Sequence, residues 1–340
     1  MKLEDLGEFG LIDRIRRRLA AEQAPDVLVG PGDDAAAVVG PIAGQALLLT
    51  CDAMVEDVHF RRRWMSPKEL GWKVMVRNLS DIAAMGGEPG HAVVTCGFPP
   101  GTDVEFADAL VDGLDEAART YGARIVGGDI VRSAVLFVSV ALTGHADEHK
   151  LLCRSGCREG DVLMVTGELG ASAAGLLAME AGKQQHFPDA VRAHIHPEPR
   201  LAAGRTLACA GTATAAIDVS DGLASDAARL AEESRVGVSV SLGSVPVAES
   251  CREVCRALGK DPLELALHGG EDYELLFSVP ADRVHEATQI LRDQAAIAAT
   301  QVGSIVEKER GLVAVKPDGS TVPLGGGWNH FRVRKEGSKP

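Results

Sequence analysis

Apolar and polar positions alternate along the first half of the chain in a strand–helix rhythm. Residues 9–19 carry helical spacing and predict a short amphipathic helix. "ALLLTCD" (46–52) is apolar almost throughout and predicts a strand. "SPKE" (66–69) predicts a helix start, with Ser66 as cap, Pro67 in the first turn and Glu69 closing a capping box. That helix runs to about Met85, before Gly86-Gly87, and its apolar surface is broken by Lys73, Arg77 and Asp81, four residues apart. A strand over 91–98, a helix opened by a second capping box in "TDVE" (102–105), and strands over 123–129 and 134–145 complete one α/β unit.

Residues 147–161 are polar and rich in turn formers, as a linker would be. Beyond them the pattern predicts strands at 161–167, 272–279 and 311–316 and helices near 171–181, 199–209, 223–234 and 247–258. Proline punctuates 186–200 without indicating a role, and no role is evident for the tail after Arg334. The reading is a two-domain α/β (α+β) chain, divided as 1–147 and 148–340.

A length of 340 residues suits two cores, and 46% hydrophobic with only 4% aromatic residues makes those cores mainly aliphatic. The net charge of −13 disfavours nucleic acid as a partner; the basic runs at 14–18 and 61–63 read as solvated faces. An acidic protein that handles phosphate esters needs cations, and metal ions are the obvious source. The seven cysteines include no C-x-x-C, and the two C-x-x-x-C pairs lack zinc-type partners, which suits a reduced, cytoplasmic chain. "MKLEDLGEFG" does not resemble a signal peptide, and no apolar run approaches the ~18 residues of a membrane span.

No Walker, kinase-loop, dinucleotide-binding, nucleophile-elbow or zinc-protease motif occurs. Five acidic clusters do: Asp33-Asp34; Asp52, Glu56 and Asp57 with His59; Asp81; Asp129; and Asp218, Asp221 and Asp226. Any one has an ordinary explanation. An Asp after a strand is commonly a turn former or helix cap, Asp81 has Arg77 and Lys73 within helical reach, and His59 could be a satisfied histidine. Five together favour convergence around Mg²⁺ and a phosphate chemistry, because clustered carboxylates repel one another without cations.

"GPGDDAAAV", "TCDAMVEDVHF", "NLSDIAAMGG", "GGD", "AIDVSDGLASD" and "GGEDYELLF" follow one another in the order found in thiamine-monophosphate kinases, and the chain resembles that family from about residue 7 to 331. The resemblance implies the fold of aminoimidazole ribonucleotide synthetase, with N-terminal domains paired in a homodimer. It implies ATP as co-substrate, several Mg²⁺ ions, and phosphorylation of thiamine monophosphate to the diphosphate, the last step of that biosynthesis. The metal positions fall on Asp34, Thr50, Cys51, Asp52, Asp81, Asp129, Asp218 and Asp221; the nucleotide positions on Gly128, Asp129, Arg154 and Ser220; the substrate positions on His59, Glu271 and Trp328. Cys51 departs from the hydroxyl residue usual there, harmless if the backbone carbonyl is used and weakening if the side chain is. Asp226 is expected on a helix facing elsewhere. From sequence, Trp328 also reads as a packing anchor and Arg154 as an exposed linker residue.

Direct in-line transfer follows from this reading, with no general base or covalent nucleophile. Sister enzymes of the superfamily fit less well: the first fifty residues hold no cysteine for selenophosphate chemistry, and "KEGSKP" is not the reactive cysteine end of the hydrogenase-maturation relative. The strings at 52–60 and 270–277 argue against the purine enzyme. A nucleotide binder without turnover and a purely structural protein are the rivals outside the superfamily; all five acidic clusters being present speaks against the first as a decayed enzyme, and the second leaves them without a purpose.

Overall fold

The structure is a computed structural model and describes residues 3–19 and 24–325. The first part runs α1 (Leu3–Leu19), β1 (Val27–Val29), β2 (Ala36–Val39), β3 (Gln45–Val55), α2 (Pro67–Ala84), β4 (Glu88–Phe98), α3 (Val104–Thr120), β5 (Arg124–Arg132) and β6 (Phe137–Asp147). Its strands form one sheet in the order β1-β2-β3-β6-β4-β5, antiparallel except for the β4–β5 pair. The second part runs β7 (Val162–Thr166), α4 (Ala171–Glu180), α5 (Pro188–Ile195), α6 (Leu201–Ala210), β8 (Ala215–Asp218), α7 (Leu223–Ser234), β9 (Gly237–Ser241), α8 (Glu249–Leu258), α9 (Pro262–His268), β10 (Leu275–Val279), α10 (Val284–Ala295), β11 (Ala299–Val306), β12 (Leu312–Val315) and β13 (Thr321–Pro323). Its sheet has the order β13-β12-β9-β11-β7-β10-β8. No helix among the described residues is long and apolar enough to cross a membrane.

Helix α2 joins the two parts. The Ser66 hydroxyl accepts from Glu69 N–H at 3.3 Å while the Glu69 carboxylate accepts from Ser66 N–H at 2.7 Å, so the expected capping box forms. One face packs with Leu70, Val74 and Leu79 in the first core; Ala83 and Ala84 belong to a cluster with Leu207 and Leu275 of the second part. The helix is therefore buried on nearly every side, and glycines make this possible. A Cβ on Gly71 would lie 2.2 Å from Leu110 O of α3, and one on Gly204 of α6 would lie 1.9 Å from Ala83 O.

The second expected capping box does not form. Helix α3 begins at Val104 with Asp103 as its cap residue, without a side-chain cap bond, and the Thr102 hydroxyl instead donates to Pro99 O at 2.8 Å. The strand expected from residue 272 begins only at Leu275, because Glu271 (φ 58°) and Tyr273 (φ 52°) take left-handed backbone conformations. The proline-punctuated stretch folds as α5 and a following turn that dock on α2: Trp72 Nε1 donates to Pro197 O at 2.9 Å and its ring stacks on His196 at 3.9 Å.

Candidate active site

The polar seam of α2 is the spine of the site, and each of its residues meets a different partner. Asp81 accepts from the Thr50 hydroxyl of β3. Arg77 Nε donates to Asp52 at 3.0 Å. Lys73, wholly buried, donates to Glu271 at 2.9 Å from the other half of the chain. The i, i+4 pairing open to Asp81 within its own helix is thus not used. Alternation along β3 puts Thr50 and Asp52 on the α2 face and Cys51 on the other, where its Sγ lies 3.6 Å from Ser139 Oγ. The side chain at position 51 is therefore directed away from Asp81, and only its backbone faces the question raised by the missing hydroxyl.

Carboxylate oxygens of Asp34, Asp81 and Asp218 lie within 4.8 Å of one another. They arrive from the turn before β2, from α2 and from the end of β8, two sheets meeting at one point. Ser80 completes the join by donating from α2 to Asp218 Oδ2 at 2.6 Å, and Ser220 donates to the other oxygen at 3.2 Å. Burial and then the Asp34 charge push Asp218 up to about 7, and burial with the charges of Asp52, Asp218 and Asp34 raises Asp81. The second oxygen of Asp34 is buried without a hydrogen-bond partner. Converging, destabilised carboxylates with an unused buried oxygen fit a divalent cation with oxygen ligands.

Arg154 reaches this group from the segment between the sheets. Its guanidinium pairs with Asp34 and donates to Gly32 O at 3.3 Å, while its backbone N–H donates to Asp33. It is a partly buried residue of the site, not an exposed linker arginine. Burial, followed by the Asp34 charge, pushes Asp33 up to about 7.

Asp221 sits beside the group rather than in it, with its carboxylate 2.7 Å from Arg229. Asp226 corrects the expectation that it faces elsewhere. It is on α7, but its buried carboxylate turns back and accepts the Asp221 N–H at 3.2 Å. His59 lines the cleft, its Nδ1 accepting from Val55 N–H at 3.1 Å. Glu271 also lines it. Burial drives this carboxyl up, but Lys73 and Arg77 outweigh burial and hold it at about 2. His194, pulled down to about 3 by burial and by Lys73, is a neutral ring at pH 7.

These residues border one cleft of about 1010 Å³. Arg16 of α1 stands at its edge, in a two-pronged ion pair with Glu233 of α7. Gly128 and Asp129 do not join it. They lie on the edge strand β5, where Asp129 is exposed and three inter-strand steps from β3, about 14 Å at the usual strand spacing. Trp328 lies outside the described residues. Sequence reasoning missed Ser80, His194, Arg229 and the buried, unpartnered Tyr273 hydroxyl; Ser80 and Tyr273 lay inside strings already singled out, "NLSDIAAMGG" and "GGEDYELLF".

Residues 32–146 match the AIR synthase related protein N-terminal domain, and residues 158–316 match the C-terminal domain. A thiamine-monophosphate kinase of Aquifex aeolicus is 35% identical over 334 residues, covering 97% of this chain and all of that one. One of Mycobacterium tuberculosis is 42% identical over 275 residues, 81% of each chain. The solved structure of AaThiL complexed with AMPPCP and TMP superposes with a TM-score of 0.84 at 34% identity, over 97% of this chain and 99% of that one. The paired domains and the full-length likeness agree: the chain belongs to the thiamine-monophosphate kinase family of AIR synthase related proteins.

Proposed function

We propose that the cleft transfers the terminal phosphoryl group of ATP directly to thiamine monophosphate, forming thiamine diphosphate and ADP in the cytoplasm. The observation that carries the reading is the meeting of Asp34, Asp81 and Asp218, from the first sheet, from α2 and from the second sheet, at the wall of one cleft. Asp34, Asp81 and Asp218 would hold Mg²⁺, with Thr50, the Cys51 backbone, Asp52 and Asp221 at its margin. Bound there, Mg²⁺ would offset the charge of two phosphate-bearing substrates and of the phosphoryl group in transfer.

The chain's own residues have simpler tasks. The second pKa of a phosphate monoester is about 6, so the acceptor oxygen needs no side chain to remove a proton. Aspartates engaged with cations are poor nucleophiles, which supports direct transfer over a phosphoenzyme. Arg154 and the Ser220 hydroxyl would orient nucleotide phosphates. His59 and Glu271 would contact the acceptor, and Trp328 remains an acceptor contact on resemblance alone. Glu271 already stands between Lys73 and Arg77, so it suits an oriented hydrogen-bond acceptor better than a free counter-charge for the thiazolium.

A homodimer is part of the reading. The edge strand β5 exposes Val126 (61%) and Ile130 (76%), apolar surface that an isolated sheet edge would not keep free. Gly128 and Asp129 belong to the reading through that pairing surface, and sedimentation of the purified protein tests it.

The deciding experiment supplies ATP, Mg²⁺ and thiamine monophosphate and follows both products, with free thiamine as control acceptor. Equal amounts of diphosphate and ADP, lost with EDTA and absent with free thiamine, are expected. Folded protein that binds ATP but makes no diphosphate would move the assignment to another acceptor.

A further inference from the structure

We propose that Lys73, braced by His194, is a positioning residue that fixes the Glu271 carboxylate at the acceptor side of the cleft. The inference rests on the reading of Glu271 as an acceptor contact. Lys73 and His194 are both almost wholly buried, with the Lys73 side chain at 0% exposure. An ammonium group in a core is costly unless its partners are well placed. Here they are: Glu271 Oε2 at 2.9 Å, and the His194 ring at 3.1 Å, itself 3.0 Å from the Ser172 hydroxyl.

The other end of the pair is held as firmly. Glu271 has φ 58°, a left-handed conformation that costs a non-glycine residue roughly 1–3 kcal/mol unless its surroundings enforce it. Its N–H donates to Ser220 O at 2.8 Å, tying it to the loop between Asp218 and Asp221. Arg77 approaches its remaining oxygen at 3.6 Å and continues to Asp52. A line of charges, Lys73–Glu271–Arg77–Asp52, thus leads from the buried junction of the two parts into the cleft. Lys73 and Arg77 come from α2, whereas Glu271, His194 and Ser172 come from the second part. The direction of the carboxylate therefore depends on α2 being docked.

The test is steady-state kinetics of Lys73→Met, Glu271→Gln and the double variant, varying thiamine monophosphate and ATP separately. Because misplacing a contact by about an ångström can cost up to about 100-fold, Lys73→Met should raise KM for thiamine monophosphate about tenfold or more. KM for ATP should stay within about twofold, since a merely structural defect would move both. The double variant should be within about twofold of the worse single variant, because both changes remove one interaction. An unchanged acceptor KM in Lys73→Met, an equal rise for ATP, or effects that multiply would overturn the proposal. If Glu271→Gln raises the acceptor KM and Lys73→Met does not, the positioning role alone falls. If Glu271→Gln leaves it unchanged in an active enzyme, the reading of Glu271 falls and the proposal with it. His194→Gln keeps the Lys73–Glu271 pair and should raise the same KM about threefold. It decides the matter should Lys73→Met not fold, an unchanged value counting against the proposal.

Discussion

At the scale of single residues, the site depends on carboxylates whose neighbours destabilise them. Asp218→Asn removes a charge that burial and Asp34 already oppose. It should leave the thermal midpoint unchanged or slightly higher. Turnover should fall by more than the about 10–100-fold typical of losing an outer partner of a metal ligand; retained turnover in the folded variant would end the metal role of Asp218. Ser80→Ala tests the outer partner itself. It deletes the 2.6 Å hydrogen bond to Asp218, so the Mg²⁺ concentration for half-maximal rate should rise about tenfold, with much of kcat recovered at saturation. A lowered kcat at every Mg²⁺ concentration would argue for a different role. The sequence disclosed Lys73, Arg77 and Asp81 as a seam because helical periodicity is local. It did not disclose their partners, since Glu271 and His194 lie 198 and 121 positions beyond Lys73 and no local pattern encodes such a meeting.

At the scale of elements, the helices with local start signals were the legible ones. "SPKE" specifies its cap through bonds three residues apart, and α2 begins where it says. "TDVE" has similar residue types, but Thr102 is drawn into the turn after Pro99 and the box is lost to a competing hydrogen bond. The late start of β10 was hidden for a related reason: "DYELLFSV" has strand composition, yet Ser220 O and Val219 O capture the N–H groups of Glu271 and Tyr273. Packing of α6 on α2 was equally invisible, because it depends on a hydrogen atom at position 204. Gly204→Ala should expose that dependence. Its methyl group, held in place by the backbone, would meet the backbone oxygen of Ala83 at 1.9 Å, so the helices must separate. A loss of about 1–3 kcal/mol is expected in urea unfolding, with weaker kcat through displacement of α2. An unaltered midpoint would mean that the contact yields without cost.

At the scale of the whole molecule, the buried acids make stability depend on pH in a direction opposite to that of a surface ion pair. Asp33, Asp218 and Asp272 are each pushed up to about 7, chiefly by burial. For an acid whose folded pKa is raised, the stabilising contribution is complete below its unfolded value, about 4, and is lost as pH rises through the folded value. Glu271, held at about 2, and His194, pulled down to about 3, act the other way: the Glu271 contribution is constant near neutrality, while the cost of keeping His194 neutral disappears as pH rises through about 6.5, one group against three. The net charge of −13 adds self-repulsion on the alkaline side. In EDTA, the thermal midpoint should therefore be lower at about pH 8 than at about pH 5.5, by a few degrees. Mg²⁺ should reverse the order. It binds deprotonated carboxylates, so it competes with protons at the lower pH and stabilises more at the higher one. Scanning calorimetry at both pH values, with Mg²⁺ and with EDTA, separates the possibilities. An EDTA midpoint that rises with pH would refute the raised acids, and an equal Mg²⁺ shift at both values would remove the cation from Asp34, Asp81 and Asp218 while leaving the fold and the cleft as described.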